Sequence, residues 1–151
     1  MITYSNEITV KWGESDPFGL VYFPLMLAWF NDTEHDLLRT IGFPTNQLIK
    51  DSRTAFVMGE VHFRFVGPAA YGDKVRTTIQ LAKMTDSTLH WDCKAVQAGS
   101  GAIVTEGRAI RVHAQIQPDG NLKAVPIPDD LRDALSQPGG FVSFMRERRE
   151  Q

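Results

Sequence analysis

The feature that most limits the fold is one long amphipathic helix followed mainly by strand-like segments. Apolar residues recur at helical spacing over residues 24–41, and Pro24 and Gly42 are suited to begin and end that helix. After residue 53 the sequence largely alternates with the two-residue period of strands, interrupted by turns. One helix cannot cover both faces of such a sheet. The pattern therefore predicts an α+β domain that associates with further copies of itself.

The predicted elements follow one another without an internal repeat or a linker. We predict strands over residues 8–12, 54–66, 75–83, 89–98, 103–114 and 122–127. A single helical turn at residues 45–50 precedes most of them, and a short helix at residues 129–135 follows. We expect one domain over residues 1–138 and an amphipathic, charged tail over residues 139–151.

Composition argues against several classes of function. The net charge is −2, and the dense basic residues are confined to the tail, so we expect no nucleic-acid partner. No apolar run reaches the roughly 18 residues of a membrane span, so we expect no membrane partner. The first ten residues do not resemble a signal peptide. A single cysteine, Cys93, excludes an intrachain disulfide, and we expect a cytoplasmic location.

A carboxylate in a tight turn immediately precedes the long helix. Residues 12–24 read WGESDPFGLVYFP, in which Asp16 before Pro17 predicts a turn and Gly19 can supply a positive φ. An aspartate in such a turn often binds only its own backbone. Here the turn leads directly into a helix start, whose free N–H groups suit the oxyanion of an acyl transfer. We therefore interpret Asp16 as a candidate catalytic residue.

A second acidic group lies within the long helix. Glu34, His35 and Asp36 have the composition of a metal site. Consecutive helical residues point in different directions, however, so the three side chains cannot converge on one ion. We interpret them as a solvated helix face and predict no metal site.

The motif around Asp16 also carries a family resemblance. The spacing Gly-x-x-Asp-Pro-x-Gly-x-Val-aromatic-aromatic-Pro, from Gly13 to Pro24, is followed by a helix that contains tryptophan. It resembles the hotdog-fold acyl-CoA thioesterases, in particular the 4-hydroxybenzoyl-CoA thioesterase branch. The likeness covers nearly the whole chain, because the later strands and the segment DGNLKAVPIP at residues 119–128 follow the same order. It implies a hotdog fold, in which a five- to six-stranded antiparallel sheet wraps a long central helix.

The resemblance further implies a homodimer or homotetramer with active sites at the dimer interface. Asp16 matches the catalytic carboxylate, acting as nucleophile or general base, and the N–H of Phe23 matches the donor that polarises the thioester carbonyl. Thr54 matches a threonine that approaches the acyl site from the facing subunit. The other predicted substrate contacts are Gly19, Tyr22 and Met58. Because a thioester is already activated, no metal or organic cofactor is expected.

The sequence defines the CoA site less clearly. Where that branch has a basic cluster before a serine, this chain has residues 84–86, MTD, before Ser87, with only Lys83 nearby. Lys123 falls where the family has an arginine, and it keeps the charge without the bidentate fork. The candidate CoA contacts are therefore Lys83, Ser87, Arg111 and Lys123.

These observations predict a thioesterase that hydrolyses an aromatic or medium-sized acyl-CoA, resembling 4-hydroxybenzoyl-CoA, to a carboxylic acid and free CoA. Three alternatives stay open. Acyl carrier protein could carry the thioester, or the chain could bind acyl thioesters without hydrolysing them. A hydratase on the same fold would require His35 or His62 near the acyl site.

Overall fold

One long helix lies against one face of a mainly antiparallel sheet in the computed structural model, which describes residues 1–142. Helix α1 spans Phe23–Thr40, with Tyr22 as its N-cap and Pro24 in its first turn. The shorter helices are α2 (Thr45–Ser52) and α3 (Asp129–Leu135). The strands are β1 (Ile2–Thr9), β2 (Thr54–Phe65), β3 (Lys74–Met84), β4 (Thr88–Gln97), β5 (Ile103–Ile116), β6 (Leu122–Ala124) and β7 (Gly139–Val142).

The strand order is β2-β5-β4-β3-β1-β7, and β6 pairs with the end of β5. Six strands form antiparallel pairs, and β7 pairs with β1 in parallel. This arrangement confirms the predicted α+β hotdog fold. The added strand β7 lies within the predicted tail, and residues 143–151 of that tail lie outside the described residues. Strand β2 lies at an edge of the sheet, since among the described strands it pairs with β5 alone.

The core lies between α1 and the inner face of the sheet. The apolar side chains that α1 buries there are Met26, Trp29, Phe30, Leu37 and Leu38. Burying a side chain of this size contributes about 1.5–3 kcal/mol. Hydrophobic burial therefore holds the helix across the sheet and fixes where its first turn lies.

The first strand differs from the prediction. It was expected over residues 8–12, but β1 ends at Thr9 and a 3₁₀ turn occupies Trp12–Glu14. In the predicted strand Trp12 would share the buried face with Ile8 and Val10, but it is 72% exposed. Its ring packs edge-on against Tyr71 with centroids 5.6 Å apart. The reason is that the buried alternation starts at Ile2 and ends at Val10, after which the chain turns towards α1.

The expected solvated face at residues 34–36 is wrong for Glu34, which is only 4% exposed. Glu34 follows Phe30 by four residues and precedes Leu37 by three, so helical geometry places it on the buried face. A carboxylate can occupy this position because Arg111 on β5 pairs with it, with Nε 3.0 Å from Oε2. Arg111 is 77 positions from Glu34 in the sequence, so the pairing could not be predicted locally. The polar character of Glu34 alone predicted that it is exposed.

Candidate active site

Asp16 opens a tight hairpin loop between the 3₁₀ turn and α1. Its Oδ1 accepts hydrogen bonds from the N–H groups of Phe18 at 2.8 Å and Leu20 at 3.2 Å. Its backbone N–H donates to the Leu20 carbonyl at 2.6 Å, and Gly19 takes the predicted positive φ, at 78°. No described residue donates a hydrogen bond to Oδ2. Asp16 therefore caps its own turn with one carboxylate oxygen and has the other available for chemistry.

The start of α1 provides a hydrogen-bond donor on the same short segment. The N–H of Tyr22 donates to the Glu14 carbonyl at 2.8 Å, and the N–H of Leu25 donates to the Tyr22 carbonyl at 2.9 Å. Pro24 has no N–H. No described residue accepts a hydrogen bond from the N–H of Phe23, so this group is the free donor at the positive end of the helix dipole.

An exposed apolar surface extends from this helix start along β2. We call it the aromatic surface, and its members are Tyr22, Phe23, Met58, Val61 and Phe65, each at least 40% exposed. Phe23 packs against Phe65 with ring centroids 5.3 Å apart and against Tyr22 at 5.7 Å. A contiguous apolar surface of this kind typically marks a ligand site or a protein interface. Tyr22, Phe23 and Met58 from the sequence prediction thus lie on one surface, whereas Gly19 lies in the loop that carries Asp16.

Met58 precedes a β-bulge, because the register between β2 and β5 shifts between Met58 and Glu60. A Cβ on Gly59 would lie 3.2 Å from Cγ2 of Val112 and 3.3 Å from the carbonyl oxygen of Ile110. The bulge re-aims the strand, so that Val61 and Phe65 face the helix side.

Thr54 lies at the other end of β2. It is 6% exposed, and its hydroxyl lies 2.7 Å from that of Ser52. A 12-residue strand extends for roughly 36 Å. Within one protomer the structure therefore does not bring Thr54 together with Asp16.

The predicted CoA contacts divide into two groups. Lys83 and Lys123 are exposed, and Ser87 lies in the turn between β3 and β4. All three lie towards the end of the sheet where β2 begins. Gln115 on β5 pairs with both Thr54 and Lys123. The Ser87 carbonyl accepts from the N–H of His113 on the same strand, and Lys83 lies at the end of β3 that leads into the Ser87 turn. Asp16 lies at the opposite end, near the start of β3.

Arg111 belongs to the second group, because it is buried beneath α1. Only 6% of it is exposed, and besides Glu34 it binds Asn31, with Nη2 2.7 Å from Oδ1. Burial raises the pKa of Glu34, and the charge and hydrogen bond of Arg111 partly offset this. Since its guanidinium is engaged in the protein interior, Arg111 is not placed to bind CoA phosphates.

Arg132 was missed by the sequence interpretation. Its Nη2 donates to the carbonyls of Thr85 at 2.9 Å and Asp86 at 3.1 Å, and so holds the turn that carries Ser87. The only sequence signal was a basic residue in the last turn of α3.

The remaining reactive side chains lie apart from Asp16. His35 bonds to Thr45, with Nδ1 2.7 Å from the hydroxyl, and burial lowers its pKa, as does Arg111. His62 is exposed on the outer face of the sheet beside Glu60. Burial, together with Glu34 and Asp92, raises the pKa of the Cys93 thiol to about 12. Among residues 1–142, no three His, Cys, Asp or Glu side chains group as metal ligands.

A cleft of about 950 Å³ opens on the outer face of the sheet, lined by charged side chains of β2, β3, β4 and β5. It faces away from α1 and does not include Asp16. None of the described helices is long and apolar enough to cross a membrane.

The chain matches a known family over most of its length. The model of the thioesterase-like superfamily matches residues 10–135. The chain is 27% identical to a 1,4-dihydroxy-2-naphthoyl-CoA hydrolase of Thermosynechococcus vestitus, over 82% of each protein.

Two solved structures share the fold. A gentisyl-coenzyme A thioesterase superposes with a TM-score of 0.75 at 26% identity, covering 85% of this chain and 98% of that chain. The 4-hydroxybenzoyl-CoA thioesterase of Pseudomonas superposes with a TM-score of 0.77, covering 87% of this chain and 98% of that chain. At 19% identity, the second comparison supports the fold alone.

Proposed function

This chain belongs to the thioesterase-like superfamily, and from that premise we propose that it hydrolyses a CoA thioester to a carboxylic acid and free CoA. The observation that carries the proposal is the pair formed by Asp16 and the N–H of Phe23. Asp16 Oδ2 and this N–H both lack a partner among the described residues, and one hairpin joins them.

The two groups divide the chemistry of hydrolysis. The thioester carbonyl oxygen accepts a hydrogen bond from the Phe23 N–H, which stabilises the charge that develops on that oxygen. Asp16 either attacks the carbonyl carbon, expelling the thiolate and leaving a mixed anhydride that water cleaves, or removes a proton from the attacking water. Both routes yield the same acid and thiol. A general base typically contributes roughly 10²–10⁴ in rate, and one oxyanion donor roughly 10²–10³.

The acyl group that suits this site is aromatic. The aromatic surface places the rings of Tyr22, Phe23 and Phe65 beside the helix start, and such rings favour stacked or edge-on contact with another ring. The two relatives above that are more than 25% identical are named for naphthoyl and gentisyl thioesters, both of which carry aromatic acyl groups. Their names support the same substrate class for this chain.

The active unit is a dimer formed along the free edge of β2. Two copies of this strand, paired antiparallel about a twofold axis, place the Thr54 end of one beside the Phe65 end of the other. Met58, Val61 and Phe65 are 46%, 40% and 48% exposed in one protomer, and such pairing would cover them. Since Phe65 contacts Phe23, each Asp16 hairpin would then face the other subunit.

This dimer also explains where CoA binds. Lys83, Ser87 and Lys123 lie at the Thr54 end of the sheet, too far from Asp16 in the same protomer. The antiparallel pairing brings that end next to the Asp16 hairpin of the other subunit. We assign the CoA phosphates to the two exposed lysines, with Arg111 omitted because it is buried.

A specific observation also favours a second carrier. With Arg111 buried and residues 84–86 lacking a basic side chain, two lysines are left for three phosphate groups. Acyl carrier protein presents the same pantetheine arm without the nucleotide. Rates with one aromatic acyl group on CoA and on acyl carrier protein decide between the carriers.

Release of free thiol from benzoyl-, 4-hydroxybenzoyl-, hexanoyl- and acetyl-CoA tests the function, with Asp16→Asn as the variant. An asparagine oxygen can still accept from Phe18 and Leu20, so the turn survives while the charge is lost. We expect kcat to fall at least about 100-fold, and aromatic thioesters to react fastest.

The matched control is Asp119→Asn. Asp119 likewise caps a turn, accepting from the N–H of Asn121 at 2.9 Å, and it lies outside the proposed catalytic pair. Its turnover should equal that of the parent protein. Unchanged turnover in Asp16→Asn would refute the catalytic assignment, and thioester binding without any hydrolysis by the parent would make the chain a binding module.

A further inference from the structure

A carboxylate two residues before Asp16 connects the parts of the candidate site. Oε1 of Glu14 accepts from the N–H of Lys11 at 2.9 Å, and Oε2 accepts from the indole Nε1–H of Trp29 at 2.8 Å. The Glu14 carbonyl accepts from the N–H of Tyr22 at 2.8 Å. One residue is thus bonded to the end of the preceding segment, to the body of α1 and to the N-cap of α1.

In sequence, the two reacting groups, Asp16 and the Phe23 N–H, lie between Glu14 and its hydrogen-bond partner Trp29. Asp16 follows Glu14 by two residues, and Phe23 directly follows Tyr22. The indole that binds Oε2 is a fixed point, because Trp29 is 4% exposed within the core. Both oxygens of Glu14 already accept a hydrogen bond, so this carboxylate is suited to holding other groups in place.

We propose that Glu14, through its bonds to Trp29 and Tyr22, is a positioning residue that sets the distance between the Asp16 carboxylate and the Phe23 N–H. The proposal rests on the catalytic role of Asp16 proposed above. A displacement of about 1 Å in an active site can lower the rate about 100-fold. Loss of the Glu14–Trp29 bond should therefore lower kcat, while KM changes little because the acyl and CoA contacts remain.

Two substitutions weaken the Glu14–Trp29 bond from opposite sides. Glu14→Gln leaves one acceptor oxygen for two N–H donors, so one of the two bonds is lost. Trp29→Phe removes the indole donor and keeps most of the buried ring, without altering the turn itself. We expect each variant to lower kcat about 10- to 100-fold, with KM within about threefold of the parent value.

The decisive measurement is kcat for benzoyl-CoA in the two single variants and in the Glu14→Gln/Trp29→Phe double variant. Because both changes act on the same bond, the double variant should lose about as much kcat as the less active single variant, and not the product of the two losses. Glu14→Gln should also cause no further loss in an Asp16→Asn background. Glu7→Gln, a carboxylate-to-amide change on β1, is the control and should match the parent. Thermal unfolding and gel filtration check that each variant is folded and has the same oligomeric state as the parent before its kcat is compared.

The outcomes separate this proposal from the proposed function. Parent-like kcat in both Glu14→Gln and Trp29→Phe, with Asp16→Asn inactive, overturns the positioning role and leaves the function intact. Losses that multiply in the double variant overturn it as well, because independent structural damage behaves in that way. Parent-like turnover in Asp16→Asn overturns the function, and the positioning role with it.

Discussion

The buried ion pair between Glu34 and Arg111 makes the most specific stability prediction. Replacing Arg111 by methionine keeps a long apolar side chain under α1 but leaves the Glu34 carboxylate with no donor on either oxygen. Oε1 already lacks a hydrogen bond among the described residues, and Oε2 depends on Arg111 Nε. Breaking a buried pair from one side typically costs about 3–5 kcal/mol, so we expect Arg111→Met to lose about that much at pH 7.5.

This loss should depend on pH in a defined direction. Burial already raises the pKa of Glu34 above its ordinary value of 4.5, and loss of Arg111 raises it further, because Arg111 lowers it. At pH values between the pKa of Glu34 in the unfolded state and its pKa in the folded state, the native protein holds one proton more than the unfolded chain. Stability therefore falls as the pH rises from the first value to the second, and is constant above it. A pKa change of one unit corresponds to about 1.4 kcal/mol of pH-dependent stability. The cost of Arg111→Met should thus be smaller at pH 5 than at pH 7.5.

Urea unfolding followed by circular dichroism at pH 5 and pH 7.5 measures both effects, at one protomer concentration because association contributes to stability. Arg108→Met, an exposed arginine on the same strand, is the control and should change the free energy of unfolding by less than about 0.5 kcal/mol. Glu34→Leu/Arg111→Met removes both buried charges and should recover most of the loss. A cost for Arg111→Met below about 1 kcal/mol, or one independent of pH, would refute this reasoning.

Two further predictions concern assembly and carrier recognition. Val61→Lys places a charge in the proposed contact along β2, so light scattering should show particles of half the parent mass or less, and hydrolysis should be lost. An unchanged mass would refute that interface. Lys123→Glu should raise KM for benzoyl-CoA about tenfold, since an attractive phosphate contact becomes repulsive. It should leave KM for the benzoyl thioester of N-acetylcysteamine unchanged, and equal effects on both substrates would exclude a phosphate contact.

Local sequence signals were sufficient for the long helix and for most of the strands. The helical spacing from residue 24 and the two-residue alternation after residue 53 depend only on backbone geometry, and the structure has α1 and the antiparallel strands accordingly. The left-handed Gly19 was predictable for the same reason, because an Asp-Pro-x-Gly turn admits few other conformations. The first strand was predicted too late in the sequence because Trp12 continues the apolar alternation of Ile8 and Val10. The strand has already ended at Thr9, and Trp12 is exposed.

The partners of the polar side chains could not be predicted in this way. Glu34 and Arg111 are 77 positions apart, and only the packing of α1 on β5 shows that one is buried with the other. The same contact removes Arg111 from the candidate CoA site. Glu14 and Trp29 are 15 positions apart, and their bond exists only because the 3₁₀ turn lies against the helix.

The sequence by itself determined the helix, the alternating strands and the turn that carries Asp16, because each depends on residues close together in the chain. The tertiary structure decided which charges are buried, which strand edge is free and which ends of the sheet the candidate residues occupy. Those properties arise from contacts between distant segments, and a burial pattern does not specify which distant side chain will satisfy a polar group. Asp16 was therefore recognisable as a turn residue from sequence, and its bonds, its neighbour Glu14 and its distance from Thr54 required the fold.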